Sequence, residues 1–289
     1  MSDKGHLASI IHPDKKLIFI GGKGGVGKSS SAAAIALHLS KSFKTLLIST
    51  DPAHSTGDSW LLPIGSSSTK VPLDGHQLFA KELDATDAFN AFKDQHDAEI
   101  RQLFDTSTHL DKDDIDQVMS LMIPGIDEVM GLKSVIDTLK AETYEKIVVD
   151  TAPTGHALRL LFMPEILNTW IKTMASMRWK YRLVQKTFKG KYDPDEADDM
   201  LLDLKRTVSQ MNTLLANPLA SEFILVSVPN QMVLNETIRL HQQLTENQVK
   251  INHLIINHVA PESSDPFYQS IHNREQEIIQ QTQEHFNHL

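Results

Sequence analysis

The chain of 289 residues contains no cysteine. Disulfides, thiolate zinc sites and thiol coordination of arsenic are therefore excluded within it. The sequence also lacks an apolar run of about 18 residues, the length that a membrane-spanning helix needs. Its first residues, Met1 to Lys15, are polar and do not have the pattern of a secretory leader. These absences predict a cytoplasmic protein.

Basic residues are also fewer than acidic ones. Lys and Arg number 28 against 37 Asp and Glu, which gives a formal net charge of −9. A chain of this charge has no general attraction for the phosphates of DNA or RNA. No nucleic-acid partner is expected.

What the sequence does contain is a glycine-rich loop, Gly21 to Ser29, that reads GGKGGVGKS. It lies between a short apolar run, Leu17–Ile20, and an alanine-rich helical pattern, Ser30–Leu39. Glycines let successive backbone N–H groups converge on phosphate oxygens, and the N-terminus of the following helix adds partial positive charge. A glycine-rich turn without a ligand is the alternative, but the full Gly-x4-Gly-Lys-Ser pattern favours a phosphate-binding loop for a nucleoside triphosphate.

Each position of this loop has an expected role. Lys28 is expected to reach the β- and γ-phosphates, and the Ser29 hydroxyl is expected to bind Mg²⁺. The residues predicted to bind nucleotide in and after the loop are Gly22, Lys23, Gly24, Gly25, Val26, Gly27, Lys28, Ser29 and Ser30.

Strand-like and helical segments alternate along the rest of the chain. Short apolar runs predict strands at Leu17–Ile20, Thr45–Ser49, Leu78–Lys81, Lys146–Val149, Phe223–Val228 and His253–Ile256. Buried apolar strands that alternate with helices predict an α/β fold with a doubly wound, mostly parallel sheet. Two long intervals lack good strands and have helical periodicity. We therefore expect an ATPase core of residues 1–83, 140–163 and 216–289, and an inserted helical subdomain of residues 84–139 and 164–215.

Two aspartates follow predicted strands. Asp51 comes after the run that ends at Ser49, and Asp150 comes after Val149. Carboxyl ends of parallel strands meet at the edge of the sheet where ligands bind, so both carboxylates are expected near the phosphate loop. We predict Asp150 as a direct or indirect partner of Mg²⁺, and Asp51 as the group that orients the attacking water. A helix cap is the alternative role for each aspartate taken alone.

The motifs together resemble the ArsA-type ATPases. The resemblance rests on Gly21–Ser29, Ser49–Ser55, Asp150–Leu161 and the phrase PGIDE at Pro124–Glu128, and it extends over nearly the whole chain. That family joins the arsenite-pump ATPases to the guided-entry ATPases that carry tail-anchored membrane proteins. Lys23 resembles the extra lysine of the deviant Walker A signature, which reaches the phosphates bound by a partner subunit. The resemblance therefore implies a catalytic role for Lys23 and a homodimer that ATP closes.

The resemblance also implies roles outside the loop. Asp51 would lie in switch I and Asp150–His156 would form switch II; the implied switch residues are Pro52, His54, Asp150, Pro153, Gly155 and His156. Asn257 matches an asparagine that recognises adenine, although a strand-end turn residue is its alternative. The family usually has a nucleotide-contacting glutamate where Asn230 stands, so Asn230 is expected to make a weakened contact. The Cys-x-x-Cys pair of many targeting members is absent from the matching stretch, Tyr268–Arg274.

The two helical intervals contain apolar stripes suited to an apolar ligand. Methionine is flexible and polarisable and suits binding of varied hydrophobic helices, so we predict a client groove between two protomers. The predicted groove residues are Met119, Met122, Trp170, Met174, Met177 and Met211. The alternative is an ordinary core stripe. Basic residues from Lys172 to Lys191 predict contact with anionic lipid or a membrane receptor, with a solvated helix face as the alternative.

The leading prediction is a homodimeric ATPase that binds transmembrane segments of tail-anchored proteins and delivers them to a membrane. One alternative is an arsenite-pump energiser, which the missing thiolates disfavour. Another is a nucleotide-dependent scaffold of the MinD or ParA kind on a membrane or nucleoid, and a P-loop biosynthetic enzyme is a further one.

Overall fold

One sheet organises the structure, a computed structural model that describes residues 10–50, 62–105, 126–151, 168–169, 171–176, 187, 195–247 and 249–286. Its strands are β1 Leu17–Gly22, β2 Thr45–Ser49, β3 Thr69–Lys70, β4 Leu78–Glu82, β5 Lys146–Asp150, β6 Ser221–Ser227 and β7 Ile251–Ile256. They lie in the order β3-β4-β2-β5-β1-β6-β7. Neighbouring strands are parallel except for β3, which runs antiparallel to β4.

This topology confirms the predicted α/β fold with a mostly parallel sheet. Each of the six apolar runs forms a strand, and β1, β5 and β6 are buried at every position because helices cover both faces of a parallel sheet. The two-residue strand β3 was not predicted. Its residues, Thr69 and Lys70, are polar and form no apolar run, and only their pairing with Ala80 and Phe79 defines them as a strand.

The helices in the described part of the chain are α1 Lys28–Leu39, α2 Ala85–Gln95, α3 Asp97–Asp105, α4 Ile126–Lys140, α5 Glu196–Ala216, α6 Gln231–Glu246 and α7 Pro266–His285. Apolar residues at helical spacing give α1 and α6 one buried face each. On α6 this face includes Val233, Leu240 and Leu244. None of the described helices combines the length and the apolar content that a membrane crossing requires.

The chain divides into two compact units. Residues Met1–Leu83, Thr138–Leu161 and Leu214–Leu289 form the first, and Asp84–Asp137 and Phe162–Thr213 form the second. In the first unit, α1 packs on the sheet through a core that includes Ile20, Val148 and Ile224. In the second unit, α5 buries Leu201, Leu204, Val208 and Met211. The limits predicted for the helical subdomain, residues 84–139 and 164–215, remain a prediction.

Charged side chains are buried at the amino end of the central strands. Glu222, at the start of β6, has a fully buried carboxylate that pairs with both Lys15 and His253. Burial raises the pKa of Glu222, but hydrogen bonds from His253 and Lys15 outweigh it and bring the pKa below its ordinary value. These contacts join the segment before β1 to β6 and β7.

Lys146, at the start of β5, is a second buried charge at this end. Its Nζ donates to the carbonyl oxygen of Lys15 at 2.7 Å and also to that of His12, and it lies 4.5 Å from the centre of the Phe43 ring. Burial lowers the pKa of Lys146 to about 8. The ammonium group therefore holds the segment that leads into β1.

Replacing Glu222 by Gln should lower the free energy of unfolding at neutral pH by about 3 kcal/mol, because Lys15 would remain buried without its charge partner. In the unmodified chain, the contribution of Glu222 is complete above the ordinary carboxyl pKa of about 4.3 and is lost as the pH falls through its lower folded-state pKa. Urea unfolding from about pH 7 to about pH 3 measures both effects. The variant should lose less stability than the unmodified chain across the acid part of this range.

Glu142→Gln is the matched control. Its ion pair with Lys16 spans 3.8 Å, and the two side chains are 79% and 50% exposed. We expect a change below about 0.5 kcal/mol. Equal stability of the Glu222 variant and the unmodified chain would contradict the stabilising role of the buried pair.

Candidate nucleotide site

The phosphate loop joins the end of β1 to the start of α1. Gly27 is the N-cap of α1 in the left-handed conformation, with φ 92° and ψ 32°, and it contributes no side-chain cap. No acidic residue lies in the first turn. A helix start of this kind presents backbone N–H groups and partial positive charge, which suits an anion such as a phosphate.

Two glycines of the loop lie in close contact with atoms of neighbouring elements. A Cβ on Gly22 would lie 2.3 Å from the carbonyl oxygen of Val226, and a Cβ on Gly27 would lie 2.1 Å from Nδ2 of Asn257. Real Cβ contacts are never this short, and the first obstacle is backbone of the adjacent strand β6. The loop is therefore seated against β6 on one side and against the residue after β7 on the other.

The two lysines of the loop are held in different ways. Lys28 is 5% exposed, and its Nζ donates to the carbonyl oxygen of Lys23 at 3.3 Å. Nζ of Lys23 lies 3.1 Å from Oε1 of Glu236, on α6, and both of these side chains are partly exposed. Lys28 thus lies within the loop, whereas the side chain of Lys23 extends to a neighbouring helix. Glu236 was not predicted, since a single glutamate in a polar helix gives no sequence signal.

Asp150 lies next to the strand that leads into the loop. It ends β5 and is 1% exposed, opposite Ile20 of β1 and Ser49 of β2. Thr50 N donates to the carbonyl oxygen of Asp150 at 2.9 Å, and the Thr151 hydroxyl donates to that of Ile20 at 2.8 Å. The carboxyl ends of β1, β2 and β5 are therefore tied together, which places Asp150 beside the strand that precedes the phosphate loop.

Several predicted residues lie outside the described part of the chain. They are Asp51, Pro52, His54, Pro153, Gly155 and His156. Their nearest described neighbours, Thr50 and Thr151, both bond to the carboxyl edge of the sheet. The predicted roles of these six residues remain predictions.

Asn257 contacts the phosphate loop directly. It follows β7, its backbone N–H donates to Ser227 at 2.8 Å, and its Nδ2 donates to the carbonyl oxygen of Val26 at 3.0 Å. The side chain therefore braces the loop beside Gly27. Recognition of adenine by Asn257 remains a prediction.

Asn230 is the N-cap of α6. Its Oδ1 accepts hydrogen bonds from Met232 N at 3.0 Å and Val233 N at 3.4 Å. This geometry accounts for an asparagine at the position by helix capping. Contact with a nucleotide remains a prediction for Asn230.

The oxygen donors near the loop suit Mg²⁺. Ser29 is the second residue of α1, and the buried carboxylate of Asp150 ends β5. Hydroxyl and carboxylate oxygens are the hard ligands that Mg²⁺ prefers. The described residues contain no cluster of three or more His, Cys, Asp or Glu side chains placed to bind a metal.

The methionines predicted to line a client groove are buried where the structure describes them. Met174 is 3% exposed and Met211 is 0% exposed. Met211 belongs to the buried stripe of α5, which agrees with the core alternative for that stripe. Met119, Met122, Trp170 and Met177 lie outside the described residues.

Comparison with known proteins assigns the chain to a family. The family model for anion-transporting ATPases of the ArsA type matches residues 15–289. The chain belongs to the ArsA ATPase family. The resemblance read from its motifs is confirmed, and with it the prediction of an ATP hydrolase that binds nucleotide.

Individual relatives cover most of this ATPase. An ATPase ASNA1 homolog of Dictyostelium discoideum is 34% identical over 269 residues, which span 90% of this chain and 77% of that protein. ATPase GET3C of Arabidopsis thaliana is 32% identical over 281 residues, 91% of this chain and 72% of that protein. ATPase GET3 of Rhodotorula glutinis is 30% identical over 266 residues, 90% of this chain and 75% of that protein.

Replacing Gly27 by Ala should reduce both the stability of the ATPase and its affinity for ATP. The positive φ costs an alanine about 1–2 kcal/mol, and the new methyl group would displace the Asn257 amide from Val26. Calorimetric titration with a non-hydrolysable ATP analogue and urea unfolding measure the two effects. Gly25→Ala is the matched control, because Gly25 has φ 79° but a Cβ added there would meet no atom within 4 Å. Equal losses in both variants would show that the Asn257 contact contributes nothing.

Replacing Asn230 by Ala should cost about 1 kcal/mol of stability, because two N–H groups of α6 lose their acceptor. Asn230→Ser should keep most of this stability, since serine is also a good N-cap. Thermal unfolding compares the two variants. ADP affinity separates the capping role of Asn230 from its predicted nucleotide contact. If Asn230 contacts the nucleotide, both variants will bind ADP more weakly, although Asn230→Ser keeps the helix cap.

Proposed function

We propose that this ATPase is a cytoplasmic homodimer that binds transmembrane segments of tail-anchored proteins and delivers them to a membrane. The observation that carries the proposal is the position of Lys23. Its ammonium group lies 3.1 Å from Glu236 on α6, and its side chain is 28% exposed. The side chain extends away from Lys28, so once the pair with Glu236 breaks it is able to reach a nucleotide bound by another subunit. The similarity to relatives named GET3 supports the same branch of the family.

The roles proposed for the site residues follow from their positions. Backbone N–H groups from Gly22 to Ser30 surround the phosphates, and Lys28 neutralises the β- and γ-phosphates. Ser29 and Asp150 would hold Mg²⁺, and the ion would offset the negative charge of the phosphates. Asp51 orients the water that attacks the γ-phosphate, and the products are ADP and phosphate.

Phosphate binding is expected to change the contacts of Lys28. In the structure its ammonium group donates to a neutral carbonyl oxygen, that of Lys23. A phosphate oxygen is a stronger, charged acceptor. We therefore expect the Lys28 ammonium group to leave the Lys23 carbonyl oxygen and bind phosphate. Phosphate binding would then release the backbone of Lys23 from this hydrogen bond.

Client binding is proposed to require rearrangement of the helical unit. Met174 and Met211 are buried, so an apolar client reaches them only after their packing changes. A γ-phosphate that orders switch segments is a known cause of such changes in nucleotide-dependent proteins. Lys172 is exposed and is available for anionic lipid or a membrane receptor. Transport of arsenite is not proposed, because trivalent arsenic needs soft thiolate ligands and the chain has no cysteine.

Light scattering of the full chain, co-expressed with a tail-anchor peptide, tests the proposal. With Mg²⁺ and a non-hydrolysable ATP analogue we expect the mass of a dimer and retention of the peptide. Asp51→Asn should slow ATP hydrolysis by about 100-fold through misplacement of the attacking water, while the complex still forms.

A peptide of the same length with serines in place of its apolar residues is the control for client chemistry. It should not be retained. A monomer in every nucleotide state would contradict the dimer, and equal retention of both peptides would contradict recognition of apolar segments.

A further inference from the structure

The ion pair between Lys23 and Glu236 joins the phosphate loop to α6, a helix that has no role in the proposed ATPase mechanism. Lys23 belongs to the phosphate loop and Glu236 to α6, more than 200 positions later in the sequence. The side chains are 28% and 29% exposed, so the pair is neither buried in the core nor fully solvated. Among the described contacts, this pair is the one that positions the ammonium group of Lys23.

Glu236 is held in place by the structure around it. Asn230 caps the first turn of α6. Thr237, the next residue, is 4% exposed, and its hydroxyl donates to Ser227 at 3.1 Å, at the end of β6. Because β6 also lies against Gly22, the helix and the loop share one support. The carboxylate of Glu236 therefore has a defined position relative to the phosphate loop.

The backbone of Lys23 is held as well. Its carbonyl oxygen accepts a hydrogen bond from Lys28. Both the main chain and the side chain of Lys23 are thus restrained within one subunit. Entry of phosphate would remove the first restraint, by recruiting Lys28, and would leave Glu236 as the second.

We propose that Glu236 is a positioning residue that retains Lys23 within its own subunit and so sets the nucleotide concentration at which the dimer closes. The part of this proposal that concerns closure rests on the proposed function. A pair with this exposure is weak enough to break, since partly exposed ion pairs contribute modestly to stability. It biases the position of Lys23 without preventing closure.

The first test follows the amine of Lys23 in the nucleotide-free chain and does not depend on a dimer. Acylation by an amine-reactive reagent is measured by mass spectrometry relative to Lys41, which is exposed. Glu236→Gln should raise the relative rate at Lys23 by about two- to fivefold, as loss of a partly exposed pair permits. Glu246→Gln, at the exposed last residue of α6, is the matched control and should leave the relative acylation rate at Lys23 unchanged. Equal rates in all three proteins would overturn the proposal.

The second test measures closure. The concentration of ATP analogue that gives half-maximal dimer should fall by about two- to fivefold in Glu236→Gln and stay unchanged in Glu246→Gln. An equal shift in both variants, or no shift despite faster acylation, would overturn the role of Glu236 in closure. If the unmodified chain never forms a dimer, the proposed dimer fails, and the acylation result decides separately whether Glu236 holds Lys23. Matching thermal midpoints of the variants and the unmodified chain establish that the fold is intact.

Discussion

The nucleotide site depends on the parallel pairing of β1 with β5 and β6. This register aligns the carboxyl ends of three strands, so that Gly22, Asp150 and Val226 meet at one edge of the sheet. The phosphate loop leaves this edge with the Val226 carbonyl directly against Gly22. Shifting β1 by one residue would reverse the faces of its side chains and move the loop away from Asp150. The buried strands on both sides of β1 make such a shift costly.

The two ends of the sheet differ in how their charged groups are arranged. At the amino end, Glu222 is buried and paired with Lys15 and His253, and Lys146 is surrounded by carbonyl oxygens. These charges are satisfied within the protein and hold the strand starts together. At the carboxyl end, the loop presents a helix N-terminus with no acidic residue in its first turn. The helix N-terminus thus supplies partial positive charge where a phosphate is expected to bind, beside the buried carboxylate of Asp150.

The phosphate loop is also a junction between elements distant in the sequence. Asn257 braces it from the end of β7, and Glu236 on α6 pairs with its first lysine. Each contact is one hydrogen bond, which is modest in energy. Together they connect the geometry of the loop to two elements of the core. Under the proposed exchange of Lys28 onto phosphate, these contacts would connect nucleotide occupancy with α6.

Local pattern was sufficient for much of this protein. The apolar runs determined six of the strands, and the Gly-x4-Gly-Lys-Ser spacing determined the phosphate loop, because both depend on neighbouring residues and on backbone geometry. The strand order, the loop contact of Asn257 and the burial of Met174 and Met211 were decided only by the tertiary structure. So were the pairs of Glu222 and Glu236, whose partners lie 31 to 213 positions away. A charge or a methionine has the same appearance in a sequence whether it lies in water or in a core, and only the packing of distant segments determines which.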